Sequence, residues 1–248
     1  TAYHSVNRLI DYQDEAYAEQ WLARLVALID RDEDRSDYSL SHEAGRHLAL
    51  WMAYEDIPRV AQLKVRPDRE DQIRSEVKAD FAQPMTVAEF FHPRVEEVAA
   101  LLPRRLGAAL LKSETIRRLL GRVLGPRTLR TDRITMQLVF RCLSGLRYFR
   151  RSTLGYAHEH QMIDRWFERV LAAEGQEQSR AIAELGGMVK GYGDTRYRTT
   201  SRLMAILDYL DTAPDADAAM VSALHSAAMA PDSHFESVGD GAATAPAA

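Results

Sequence analysis

Apolar residues recur along most of the chain at the spacing of one helical face. Leu40, Ala44, His47, Leu48 and Trp51 form one such stripe; Val95, Val98, Ala99 and Leu102 form another. Ile134, Leu138, Cys142, Leu146 and Phe149 repeat it, as do Ile163, Trp166, Phe167, Val170 and Leu171, and then Leu203, Ile206, Leu207 and Leu210. Each is the pattern of an amphipathic helix with that face turned inward. No alternating β-branched run bounded by turn residues competes. The pattern predicts an all-α fold: a single multi-helix domain, an irregular bundle, over 1–230. From Pro231 to Ala248 the periodicity stops and Ala, Gly, Ser and Pro take over, which predicts a flexible tail.

Helix punctuation agrees with this division. Ser39 or Ser41 is placed to cap the helix carrying Trp51. Pro93 and Pro103 suit first-turn positions. Gly125-Pro126 marks a break, after which Thr131 or Asp132 can cap the next helix. Gly191 and Gly193 separate two strong helices. There Lys190-Gly191-Tyr192-Gly193-Asp194-Thr195-Arg196 reads as a corner, with Gly191 free to take positive φ and Asp194 or Thr195 as the following cap.

Composition is ordinary for a globular chain, and the net charge of −4 over 248 residues gives no general reason to expect nucleic acid or an anionic membrane. No stretch approaches the ~20 apolar residues of a membrane span. The chain opens Thr1-Ala2-Tyr3 and soon enters a helix, so a further domain is expected upstream. One cysteine, Cys142, cannot form an internal disulfide or hold an iron–sulfur cluster alone, and a reducing cytoplasm is the expected home. Its place between Leu138 and Leu146 reads as a small buried hydrophobe.

The charge is uneven. Between Arg104 and Arg151 stand thirteen Arg and Lys against two acids, Glu114 and Asp132. Two readings are open. The segment packs against acidic helices such as the one holding Asp30, Asp32, Glu33 and Asp34, or it receives an anionic ligand or acidic partner. Arg127 and Arg130 are the candidate contacts within it, beside Lys190, Tyr192, Asp194 and Arg196 at the corner. His158-Glu159-His160 is poorly spaced for a metal, because residues two apart leave a helix on different sides. His47, on an apolar stripe, reads as a hydrogen-bonded core histidine. Gly191-Tyr192-Gly193 lacks the preceding strand and third Gly of a dinucleotide fingerprint. Gly239-Asp240-Gly241 lacks the Asn pair of a thiamine diphosphate site, since Asn7 is the sole Asn.

The corner from Lys190 to Arg196, after a helix ending Met188-Val189, resembles the C-terminal domain of indolepyruvate oxidoreductase subunit beta. Four further stretches resemble that family in the same order: Tyr12 to Glu19, Met52 to Ala61, Pro93 to Glu97, and Leu129 to Asp132. The resemblance runs from about Tyr12 to Leu210. It implies a parent with a gamma-type domain upstream, working with an alpha subunit that carries thiamine diphosphate and iron–sulfur clusters. Such enzymes decarboxylate arylpyruvates oxidatively, form the CoA ester and pass electrons to ferredoxin. It implies no cofactor and no catalytic residue in this domain, whose partners would be the gamma-type domain and the alpha subunit. The alternative kept beside it is a helical domain that binds an anion, such as a CoA phosphate, through the Arg-rich segment.

Overall fold

The computed structural model describes residues 2–80, 82–91, 93–189 and 193–230; the tail predicted from Pro231 lies outside them. The fold is all-α, with thirteen α-helices and two short strands among the described residues. In chain order these are α1 (Ala2–Tyr12), α2 (Glu15–Arg31), α3 (Ser39–Met52), α4 (Ile57–Lys64), α5 (Arg69–Val77), β1 (Ala88–Phe91), α6 (Val95–Leu101) and α7 (Arg104–Lys112). There follow α8 (Glu114–Val123), β2 (Arg127–Arg130), α9 (Ile134–Gly145), α10 (Leu154–Leu171), α11 (Gln176–Leu185), α12 (Gly193–Thr212) and α13 (Ala218–Met229). Tight 3-10 turns at Leu146–Ser152 and Gly186–Met188 complete the set. No helix among the described residues is long and apolar enough to cross a membrane. The chain gathers into two compact units, one formed by Thr1–Tyr54 with Gln161–Ala248, the other by Glu55–His160.

The first unit holds the deep core. The stripes read from the sequence around Trp51, Trp166 and Leu207 are buried here. Trp51 and Trp166 meet at 5.8 Å between ring centroids. A buried indole must still place its N–H: Trp21 donates to the Gly45 carbonyl and Trp166 to that of Ile182. Tyr12 packs between Tyr17 and Tyr54, and the Tyr17 hydroxyl donates to the Met52 carbonyl. His47 is buried and hydrogen-bonded to Glu43 at 2.7 Å, the core role expected of it.

The caps differ from expectation in an instructive way. Neither Ser39 nor Ser41 caps α3. Its N-cap position is Tyr38 at φ +50°, and Asp32, from the preceding turn, accepts from both the Ser41 N–H and the Ser41 hydroxyl. Gln176 adds a third bond to Asp32. Burial works against the Asp32 charge, but the Ser41, Gln176 and Asp34 donors outweigh it and hold the carboxyl below its ordinary range. Elsewhere capping is conventional: Asp14 accepts from Tyr17 N–H on α2, and Asp217 from Met220 N–H on α13.

The second unit is thin. It contributes four buried apolar side chains, Pro58, Ala61, Ala99 and Phe140, among the described residues, against thirty-one in the first unit. Its main packing is α9 on α4, with α6 on α7. A two-stranded antiparallel ribbon pairs Ala88 with Arg130 and Phe91 with Arg127, and Phe91 stacks on Phe140 of α9. At its centre is a buried ion pair: Arg150, 1% exposed, gives Asp56 two bonds of 2.6 and 3.0 Å. Asp56 also caps α4 through the Arg59 N–H.

Candidate functional site

The helix α9 carries two apolar faces. Met136, Phe140 and Leu143 face inward, with Phe140 fully buried. The stripe read from the sequence as core is the other one. Ile134 is 80% exposed, Leu138 58%, Phe149 68%, and Cys142 is exposed as well, so the expectation of a buried thiol is corrected. Periodicity cannot choose between two apolar faces; packing against α4 and Phe91 decides for Phe140. A second open stripe runs along α8, where Ile116, Leu119 and Val123 lie outward and no residue is fully buried. Single exposed apolar side chains need no explanation; aligned stripes on a unit with so small a core are the less usual arrangement.

Cations accompany these faces. Arg104, Arg105, Lys112, Arg122 and Arg141 are exposed and form no ion pair among the described residues. Arg117 reaches Glu96 and Glu114 only at 3.7 Å, and Arg118 reaches Glu114 at 3.4 Å. Such exposed pairs contribute about 0–1 kcal/mol each. Within the first unit, Asp32 takes Ser41 and Gln176, Glu33 takes Arg31, and Asp34 takes Ser36.

The residues singled out in the sequence do not form one cluster. Lys190, Gly191 and Tyr192 lie outside the described residues. Gly193, at φ +56°, opens α12, so Asp194 and Thr195 belong to its first turn rather than to a cap. Arg196 is half-buried, and Asp194 is placed by its backbone alone. Arg127 and Arg130 are in β2 of the second unit, where Arg130 is held by Asp132 at 2.7 Å and by the Thr86 hydroxyl. That pairing raises the Arg130 pKa and lowers the Asp132 pKa through their shared hydrogen bond. Neither Thr131 nor Asp132 caps α9, whose N-cap is Arg133; Thr131 is buried and its hydroxyl donates to the Val87 carbonyl.

A titratable cluster that sequence reading missed lies under the ribbon. Glu89 of β1 takes both Lys64 of α4 and Arg69 of α5, and Lys64 also stands over the Phe91 ring. Two cations share one carboxylate, and the ever-charged Arg69 is the stronger competitor. Burial, and then the Arg69 charge, push Lys64 down from 10.5 to about 8. Between those values the unfolded chain binds the proton that the folded chain has released. The Lys64 contribution therefore makes stability rise as pH climbs from about 8 towards 10.5, and the penalty of charging Lys64 is complete below 8. Urea midpoints at stepped pH should show this rise, and Lys64→Met should flatten it. A slope unchanged by Lys64→Met would assign the rise to another group.

A cavity of about 320 Å3 lies in the first unit, lined mainly by Trp21, Leu25, Ile29 and Tyr38 with Ser41 and His42 at its polar side. None of the Arg-rich segment lines it.

Residues 1–209 match a family described as a family of unknown function, DUF6537, and the chain belongs to that family. No curated protein and no solved structure matches the chain.

Proposed function

We propose that this member of DUF6537 is a docking module: a helical domain whose second unit completes its packing against a partner protein. The observation that carries the reading is the contrast in that unit between four buried apolar side chains and the open stripes Ile134–Leu138 and Ile116–Leu119–Val123. A unit of this length with so little core gains stability by covering such faces. The ordered resemblance to the C-terminal domain of indolepyruvate oxidoreductase subunit beta names the partners. They are the gamma-type domain of the same parent and the alpha subunit of an arylpyruvate:ferredoxin oxidoreductase of the cytoplasm. On that reading thiamine diphosphate, iron–sulfur clusters and CoA are handled by the complex, and this domain supports the reaction by contact alone.

The anion-binding alternative needs several Arg side chains converging on one concavity. Against it, Arg150 is committed to Asp56 and Arg130 to Asp132, while Arg104, Arg105 and Arg122 are exposed on helices. The test is co-expression with an indolepyruvate oxidoreductase alpha subunit, followed by affinity capture on a tag carried by this chain. The alpha subunit should be retained. Capture no better than that of an unrelated tagged helical protein would remove the oxidoreductase assignment.

A further inference from the structure

We propose that the Ile116–Leu119–Val123 face of α8 is the docking site for an acidic amphipathic helix of a partner protein. This rests on the docking reading above but not on the oxidoreductase link. The three side chains fall at i, i+3 and i+7 on one side of the helix, 46%, 61% and 56% exposed, and Leu120 beside them is half-buried. That spacing is the anchor pattern by which one helix recognises another. Nothing in α8 is fully buried, so the stripe is open along the whole helix.

The charge around the stripe defines the occupant. Arg122 borders it, Arg117 and Arg118 lie farther round the same helix, and Glu114 is the one acid of α8. Arg122 forms no ion pair among the described residues, while Arg117 and Arg118 hold Glu114 only at 3.4–3.7 Å on the surface. Those weak pairs exchange readily for carboxylates presented by a partner, where Arg and apolar side chains together make effective contacts. The occupant must therefore offer an apolar stripe bordered by Asp or Glu. An anionic membrane fits less well: interfacial helices combine a broad apolar face with aromatic residues, and α8 has a narrow aliphatic stripe with no aromatic residue.

The test uses the full chain and a fluorescein-labelled synthetic peptide of about five helical turns, with Leu at i, i+3, i+4 and i+7 and Glu on both flanks. A scrambled peptide of the same composition keeps the charge but loses the stripe. The chain should bind the patterned peptide saturably by anisotropy. Leu119→Asp, and separately the pair Arg118→Glu with Arg122→Glu, should each weaken binding by about tenfold or more. All three positions are exposed, so thermal melts should match the parent chain, and either variant suffices if the other melts early. Equal binding of the scrambled peptide, or no weakening in a correctly folded variant, overturns the proposal. So does binding only to phosphatidylserine vesicles, or self-association in sedimentation velocity that Leu119→Asp abolishes. An alpha subunit captured equally by the parent chain and Leu119→Asp would move docking away from α8 while leaving the module reading intact. Peptide binding at α8 without capture would do the reverse.

Discussion

Asp56→Ala should cost the second unit about 3–5 kcal/mol, because it leaves the buried Arg150 guanidinium without its carboxylate. Arg150 is 1% exposed and its two bonds to Asp56, at 2.6 and 3.0 Å, are the two-pronged geometry in which Arg and carboxylate match best. The same substitution also strips the cap from α4, for about 1 kcal/mol more. Asp56→Asn separates the terms, since an amide oxygen can still accept from the Arg59 N–H but no longer neutralises Arg150. Combining Asp56→Asn with Arg150→Met should recover part of the loss, because the uncompensated charge is then gone. The three tryptophans, Trp21, Trp51 and Trp166, all belong to the first unit, so far-UV circular dichroism in urea should report the change while tryptophan fluorescence lags behind it. A loss below about 1 kcal/mol for Asp56→Ala would show that the pair does not hold the unit together.

Four of the stretches that carry the resemblance lie wholly within the described residues and stand at corners of the fold. Tyr12 to Glu19 includes the Asp14 cap of α2, and Met52 to Ala61 includes Asp56. Pro93 to Glu97 spans the start of α6, where Glu97 accepts from the Arg94 N–H at 3.4 Å. Leu129 to Asp132 ends the ribbon with the Arg130–Asp132 pair. Each has a structural job that fixes several residue types at once. Capping and pairing account for the residue types at such positions.

Helix content was legible because period 3.6 repeats for many turns at Leu40–Trp51, Ile163–Leu171 and Leu203–Leu210, and those faces are buried apart from the half-buried Leu171. The ribbon was not legible. Its four-residue strands Ala88–Phe91 and Arg127–Arg130 are too short for alternation to show, and their pairing joins positions far apart in sequence. The open face of α9 was misread for a different reason. The sequence records that Ile134, Leu138 and Cys142 share a side of α9, but which side turns inward depends on Phe140 meeting Phe91. The Asp32 cap of α3 was hidden similarly, because it reaches across a turn to Ser41 instead of standing at the helix start. The Lys64–Glu89–Arg69 cluster joins α4, β1 and α5 and has no signature in local spacing.

Trp166→Ala should destabilise the first unit by about 3–5 kcal/mol, the usual cost of emptying a buried aromatic site. Trp166 is fully buried, lies against Trp51 and donates to the Ile182 carbonyl, so both packing and a hydrogen bond are lost. The tight turn at Gly186–Met188 gives the sharper test. A β-carbon on Gly186 would come within 2.7 Å of Trp166 Cζ2 and 3.0 Å of His47 Cβ, and one on Gly187 within 2.7 Å of His47 Cε1. The indole is pinned by its hydrogen bond and His47 by Glu43, so neither ring can retreat freely. Gly186→Ala should accordingly cost about 1–3 kcal/mol through overpacking. Trp166→Phe removes the outer ring atoms that the new methyl would strike. The double variant should therefore lose clearly less than the sum of its two single losses, a coupling expected only of groups in direct contact. Thermal and urea denaturation followed by the fluorescence of the remaining tryptophans would measure it. Strictly additive losses would mean that the glycine is required for its backbone and not for the space it leaves to Trp166.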